Sequence, residues 1–335
     1  MKKIITLLVT LILSMGCIFG LTACGKKSGQ IKFIDVKLTD EEYAIAVNKG
    51  KPQLKADINA ALKEIDIEAI ITKYNNLDSV TEGYTFKSTS TNPENELIVA
   101  TNAEFPPFEY KKGTQYFGID IEILNKLAEK LNKEVVLLNL NFDAIITSVQ
   151  GVEIPSDVDT EGYDTYSYSD IAIAGLSVTE ERKQSVDFTD SYFKSSQVLV
   201  VKSDDTTFDA VTALTVEDLT YANAKDILPD EVTEAEFNAE IANLTADEKA
   251  EALIELKTMK INKILSEMQG KKAGSQNGTT GEYFIKGSGD WLEGYANIGY
   301  NGYTSYTLAI EDMLNGNINF VVSDYETAKA LVEKF

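Results

Sequence analysis

The sequence predicts an α/β protein with two lobes, and three observations carry that expectation. Short apolar runs of strand character recur along the chain, at residues 96–101, 134–139, 171–174, 197–202 and 318–322. Between them lie segments with apolar residues at helical spacing, such as Ile119, Ile123, Leu127 and Leu131. The chain has 335 residues, 44% of them hydrophobic, which is enough for two separate cores.

Composition narrows the chemistry. There is no histidine, so imidazole proton shuttling and imidazole metal ligation are excluded. The only cysteines, Cys17 and Cys24, lie in the first two dozen residues, so the body has neither a disulfide framework nor a thiolate metal cluster. The aspartate-rich stretch 151–170 lacks the spacing of a calcium loop and reads as solvated loop. No metal or cofactor is expected. The formal charge of −22 opposes nucleic-acid binding and favours the approach of cations.

The first residues read as an export signal. Lys2 and Lys3 precede an apolar run over 4–20, short for a membrane span. Leu21, Thr22, Ala23 and Cys24 resemble the lipobox of bacterial lipoproteins. That resemblance implies cleavage before Cys24, lipidation of its thiol, and a tether over 24–30. The cleaved chain would carry about −24 and sit on the outer face of the cytoplasmic membrane, on a Gram-positive surface or in a periplasm.

The stretch 171–193 organises the rest. An apolar run ends at Gly175, which lets the backbone turn and a ligand approach closely. Ser177 and Thr179 supply hydroxyls, Thr179 is placed as a helix N-cap, and Arg182 follows within one turn. A guanidinium beside two hydroxyls and exposed backbone suits a carboxylate, which it can bond bidentately. An ordinary surface helix with a solvated arginine is the bland alternative. Residues 270–283 offer a second glycine-rich loop, with Thr279 and Thr280.

Together, the segments Ala174–Arg182 (AGLSVTEER), 96–131, 141–150, 270–283 and 317–334 resemble the extracellular solute-binding proteins of polar amino-acid ABC transporters. The resemblance implies a type II periplasmic-binding-protein fold, a two-lobed flytrap that closes on a ligand. It implies that Arg182 and Thr280 hold the ligand's α-carboxylate with help from Ser177, and that Asp324 binds the α-ammonium beside the Gly175 carbonyl. Phe105 and Phe142 would sandwich the side chain, and Asn102, Glu104 and Gln276 would read its polar end. The implied partners are a free amino acid and a transporter permease, with the protein a monomer and not an enzyme. A dehydratase using Glu104 as general acid, or a sensory module, are the competing classes.

The order of blocks is unusual. Residues 36–74 resemble the segment that closes such proteins, yet here they come first. We expect a circular permutation, with Phe335 close to Ile31 and a polar linker over 77–95 joining the former ends. Lobe one is then expected over 42–76 and 96–200, and lobe two over 31–41 and 201–335. An acidic helical insertion is expected at about 222–268, with capping boxes at Thr233/Glu236 and Thr245/Glu248.

Overall fold

The structure, a computed structural model, describes residues 29–150, 168–289 and 291–335. The expected leader, Cys24, all but the end of the tether, and most of the 151–170 loop lie outside the described residues.

Each lobe is built on a five-stranded sheet; strands and helices are numbered in chain order. In lobe one the order is β10 (Asp187–Phe188), β3 (Ala46–Val47), β9 (Ile171–Ala172), β4 (Glu96–Thr101) and β8 (Glu134–Asn139). β4 runs parallel to both neighbours, and all six of its residues are buried, as an apolar central strand requires. α1 (Pro52–Leu62) and α2 (Ile67–Lys73) pack with α3 (Ile119–Leu131) on one face. α3 is buried through Ile119, Ile123, Leu124 and Leu127, and it ends at Asn132, which takes the left-handed conformation at φ 52°. The opposite face holds Ile145 and Val149 of α4 (Ile145–Gln150), beside α5 (Glu180–Ser185). A small sheet of β5 (Glu104–Phe105), β6 (Glu109–Lys112) and β7 (Gln115–Phe117) projects from this lobe.

In lobe two the order is β1 (Ile31–Ile34), β12 (Gln197–Lys202), β15 (Phe320–Asp324), β13 (Lys272–Gln276) and β14 (Gly299–Tyr303). β12 pairs with β1 from Ile31↔Lys202 and with β15 from Gln197↔Asp324. This corrects the expected lobe boundary: 197–200 belong to lobe two. Apolar on both faces, this run fills the centre of a sheet and cannot cross between lobes. The crossing lies one step earlier, in the antiparallel ribbon of β2 (Glu41–Tyr43) and β11 (Phe193–Ser195). The apolar run 43–47 is divided, β2 serving the ribbon and β3 the lobe-one sheet.

Helices of the acidic stretch start earlier than expected, at α6 (Asp209–Thr212) and α7 (Tyr221–Ala224). α8 (Glu234–Asn243) and α9 (Ala246–Glu267) follow, each opened by its expected capping box. Leu219, Ala224, Val232, Phe237 and Leu256 form a core of their own. Ile261 and Leu265 near the end of α9 enter the lobe-two core instead. α10 (Thr280–Lys286), α11 (Tyr306–Leu314) and α12 (Tyr325–Lys334) complete the lobe.

The polar stretch 77–95 is pinned to lobe one rather than loose. Tyr84 and Tyr116 exchange both backbone hydrogen bonds at 2.8 Å, and the Leu137 amide donates to the Lys87 carbonyl at 2.8 Å. The Gln30 amide donates to the Phe335 carbonyl at 3.1 Å, so these distant positions meet in space.

Candidate functional site

The hinge ribbon brings the two lobes together around a narrow cavity of about 10 Å³. Lobe one contributes Phe105, Phe142, Gly175, Ser177 and Arg182; lobe two contributes Gln276, Thr279, Thr280 and Asp324. Each side chain arrives at the end of a strand or the start of a helix, where backbone turns free it from the sheet. Of the ten residues expected at a ligand, eight line this cavity. Asn102 stands behind the wall: fully buried, it bonds the Leu140 carbonyl through Nδ2 and accepts from Gln276 Nε2 across the lobes at 2.9 Å. Glu104 is exposed on β5 and does not line the cavity.

Arg182 is 5% exposed. Its Nη1 donates to the Ser177 carbonyl at 2.7 Å and its Nη2 to the Gly278 carbonyl of the other lobe at 2.8 Å. The guanidinium lies 5.6 Å from the Phe142 ring centroid. Among the described residues it joins no ion pair within 4 Å. Burial lowers its pKa. A buried guanidinium without a carboxylate is costly, and an anion at the cavity would offset that cost.

Asp324 ends β15. Its Oδ1 accepts from Tyr43 at 2.6 Å and from Gln197 Nε2 at 2.8 Å, and its Oδ2 from Tyr306 at 3.2 Å. Burial, then the nearby Glu41 carboxylate, push its pKa up to about 7. A cation at the cavity would hold it ionised.

The lobe-one wall is set by Gly175, at φ +53°. Its amide donates to Asp120 Oδ2 at 2.8 Å, and that oxygen also accepts from the Tyr192 hydroxyl at 2.9 Å. A Cβ at position 175 would sit 2.5 Å from Phe105 Cε1. The absence of a side chain there is what lets Phe105 lie along the wall. Phe105 stacks on Phe108 with centroids 5.5 Å apart, and its centroid is 5.9 Å from that of Tyr306.

The hydroxyls depart from expectation. Ser177 and Thr280 both donate to Oε2 of Glu41, at 2.5 and 2.8 Å, rather than offering their protons to the cavity. Glu41, Tyr43 and Gln197 all come from the hinge region, and sequence reasoning missed them. The one available signal is a glutamate and a tyrosine flanking a second glutamate at strand spacing. Alternation buries both, and a buried glutamate needs donors.

A model of the bacterial extracellular solute-binding proteins, family 3, matches residues 97–158 and 167–274. That is just over half of the chain. The chain belongs to this family.

Among curated relatives of this family 3 protein, the arginine-binding extracellular protein ArtP of Bacillus subtilis is 31% identical over 117 residues, 35% of this chain and 40% of ArtP. ABC transporter arginine-binding protein 1 of Escherichia coli is 22% identical over 230 residues, 68% of this chain and 63% of its own. Each match therefore spans less than two thirds of the relative. A solved ancestral arginine-binding protein bound to arginine superposes with a TM-score of 0.45 at 25% identity, covering 72% of this chain and 74% of that one. Among the described residues no helix is long and apolar enough to cross a membrane, and no group of acidic or thiol side chains is placed to hold a metal.

Proposed function

We propose that the protein binds a free amino acid in the interlobe cavity, outside the cell, and delivers it to an ABC transporter permease. The observation that carries this reading is the buried Arg182 guanidinium, bonded among the described residues only to carbonyls and facing Asp324 across a cavity walled by phenylalanines. The ligand's α-carboxylate pairs with Arg182. Support comes from the N-terminal end of α10 at Thr280, where helix amides favour an anion. The α-ammonium pairs with Asp324 beside the Gly175 carbonyl, and the side chain lies between Phe105 and Phe142. Gln276 meets its polar end, with Asn102 behind. Charge-assisted bonds contribute roughly 1.5–3 kcal/mol each, so three or four of them, net of closure, suit about micromolar binding. Ligand contacts from both lobes favour the closed form, which a permease would read.

The arginine- and histidine-binding names of relatives, together with the acidic surroundings, favour a cationic side chain. Thermal-shift screening of the common amino acids, followed by calorimetry on the hit and on Arg182→Ala, tests the reading. A stabilising amino acid whose affinity falls about a hundredfold in the variant supports it; unchanged affinity ends it. Glu104, the general acid expected for the dehydratase alternative, is exposed and does not line the cavity, which speaks against that alternative. A turnover assay that releases product would restore it.

We also infer that Cys24 anchors a monomeric chain to the membrane, and that the order of blocks is a circular permutation. The early strands β1 to β3 enter both lobes before β4 begins lobe one, and Gln30 meets Phe335. A rearranged gene that moves 29–75 behind 335 is expected to give a protein of the same affinity; a protein that fails to bind ends the inference.

A further inference from the structure

Two carboxylates that the amino-acid reading does not use lie behind the lobe-one wall. Glu109 opens β6, Asp120 stands in the first turn of α3, and both are fully buried. Backbone bonds bring them side by side. The Ile119 amide donates to the Pro107 carbonyl at 3.0 Å, and the Asp120 amide to the Phe108 carbonyl at 2.9 Å. Gly118, at φ +125°, permits that approach, since a Cβ there would sit 2.0 Å from the Phe108 oxygen.

Three oxygens are left over. Asp120 Oδ2 accepts from the Gly175 amide and the Tyr192 hydroxyl. Asp120 Oδ1 and both Glu109 oxygens have no donor among the described residues. Neither carboxylate joins an ion pair within 4 Å among those residues. The two are within hydrogen-bond reach of each other. Two adjacent ionised carboxylates without a cation would be very costly in a dry core. One proton between them removes that cost: a protonated Glu109 donates to Asp120 Oδ1. Asp120 is the better seat for the charge, because it already has two donors and lies at the N-terminal end of a 13-residue helix. Burial, then the Asp120 charge, hold the Glu109 carboxyl well above the usual range, and Asp324 adds to this. Burial pushes Asp120 up to about 6, against the pull of the Gly175 and Tyr192 donors.

We propose that Glu109 and Asp120 share one proton, and that Glu109 is a positioning residue for the cavity wall. It anchors Asp120, which holds Gly175 in its left-handed turn so that the Gly175 carbonyl faces the ligand's α-ammonium. Glu109 also pairs with Phe105 across β5 and β6, so the same anchor sets the aromatic wall. Tyr192, just before β11 of the hinge ribbon, ties Asp120 to the hinge. The positioning role rests on the reading that the cleft binds amino acids; the shared proton does not.

Infrared difference spectroscopy on the ligand-free whole chain at pH 8 reads the proton. Asp324, at about 7, is mostly ionised there. The wild type minus Glu109→Gln spectrum is expected to show a protonated carboxylic C=O band that shifts in heavy water. Absence of that band overturns the proposal whether or not any amino acid binds. Calorimetry with each of the common amino acids in turn then reads the positioning. Glu109→Leu removes the donor and is expected to bind the amino acid that wild type binds about tenfold or more weakly. Glu109→Gln keeps an N–H for Asp120 Oδ1 and is expected to recover binding to within about threefold of wild type. A folded Glu109→Leu protein of wild-type affinity, or a folded Glu109→Gln protein weakened about tenfold or more, overturns the positioning role and leaves amino-acid binding standing. Where Glu109→Leu does not fold, the band and Glu109→Gln decide. Wild type that shows the band but binds none of the amino acids removes the amino-acid reading and the positioning role together.

Discussion

The Tyr43 hydroxyl donates to Asp324 Oδ1 at 2.6 Å, tying the hinge strand β2 to the end of β15 in the opposite half of the molecule. Residues 281 positions apart thus share one proton at the cavity. The bond favours the ionised carboxylate, against burial and against Glu41, which favour the protonated one; the balance puts Asp324 at about 7.

A pH dependence follows from that balance. The ligand's ammonium requires Asp324 ionised, so binding below pH 7 must expel a proton. Affinity is expected to be about tenfold weaker at pH 6 than at pH 8, with proton release detected by calorimetry in buffers of different ionisation enthalpy. Asp324→Asn is expected to bind weakly and lose the pH dependence. For stability the sign is opposite. The folded pKa lies above the unfolded one, so this group's stabilising contribution is complete below about pH 4 and is lost as pH rises to about 7. Thermal melts of wild type and Asp324→Asn should therefore diverge as pH rises through that window, the variant gaining relative to wild type.

Arg182 should not tolerate its closest replacement. Lysine keeps the charge but lacks the planar fork that reaches the Ser177 and Gly278 carbonyls from one group. Arg182→Lys is expected to cost tenfold or more in affinity, about 1.4 kcal/mol or above, measured by calorimetry with the amino acid that wild type binds.

How much of this was legible in the chain depends on distance in sequence. β4, β8 and α3 could be read to the residue because an apolar run or a helical stripe is a local pattern. Both capping boxes in the acidic stretch were legible for the same reason. The cavity wall was legible only through family resemblance, since nothing local announces that Arg182 and Asp324 face one cavity. Glu41 was legible only as one member of a three-residue alternation. Its partners Ser177 and Thr280 lie 136 and 239 positions away, and a glutamate beside another glutamate reads as solvated surface. The lobe boundary near 196 was missed because a buried strand looks the same whichever sheet it enters.

Gly175 and Gly270 form a matched pair for separating backbone strain from crowding. Both have positive φ, +53° and +70°, but a Cβ at 270 meets nothing within 4 Å, whereas one at 175 meets Phe105. Gly270→Ala is expected to cost about 1–2 kcal/mol of stability with ligand affinity unchanged. Gly175→Ala should cost more and also weaken binding, because Phe105 must move out of the wall. Equal melting temperatures for the two variants would contradict the crowding argument.

Thr245 tests whether the acidic helices are energetically separate from the cleft. Its hydroxyl accepts from the Glu248 amide at 3.3 Å, and its own amide donates to Glu248 Oε2 at 2.7 Å, closing the start of α9. That end of the 22-residue helix is remote in sequence from Ile261 and Leu265, through which α9 joins the lobe-two core. Thr245→Ala is expected to lower stability by about 1 kcal/mol in chemical denaturation and to raise amide exchange in the first turns of α9. Ligand affinity should be unchanged. A matching loss of affinity would mean that the insertion and the cleft open as one unit, and would recast these helices as part of the closing machinery.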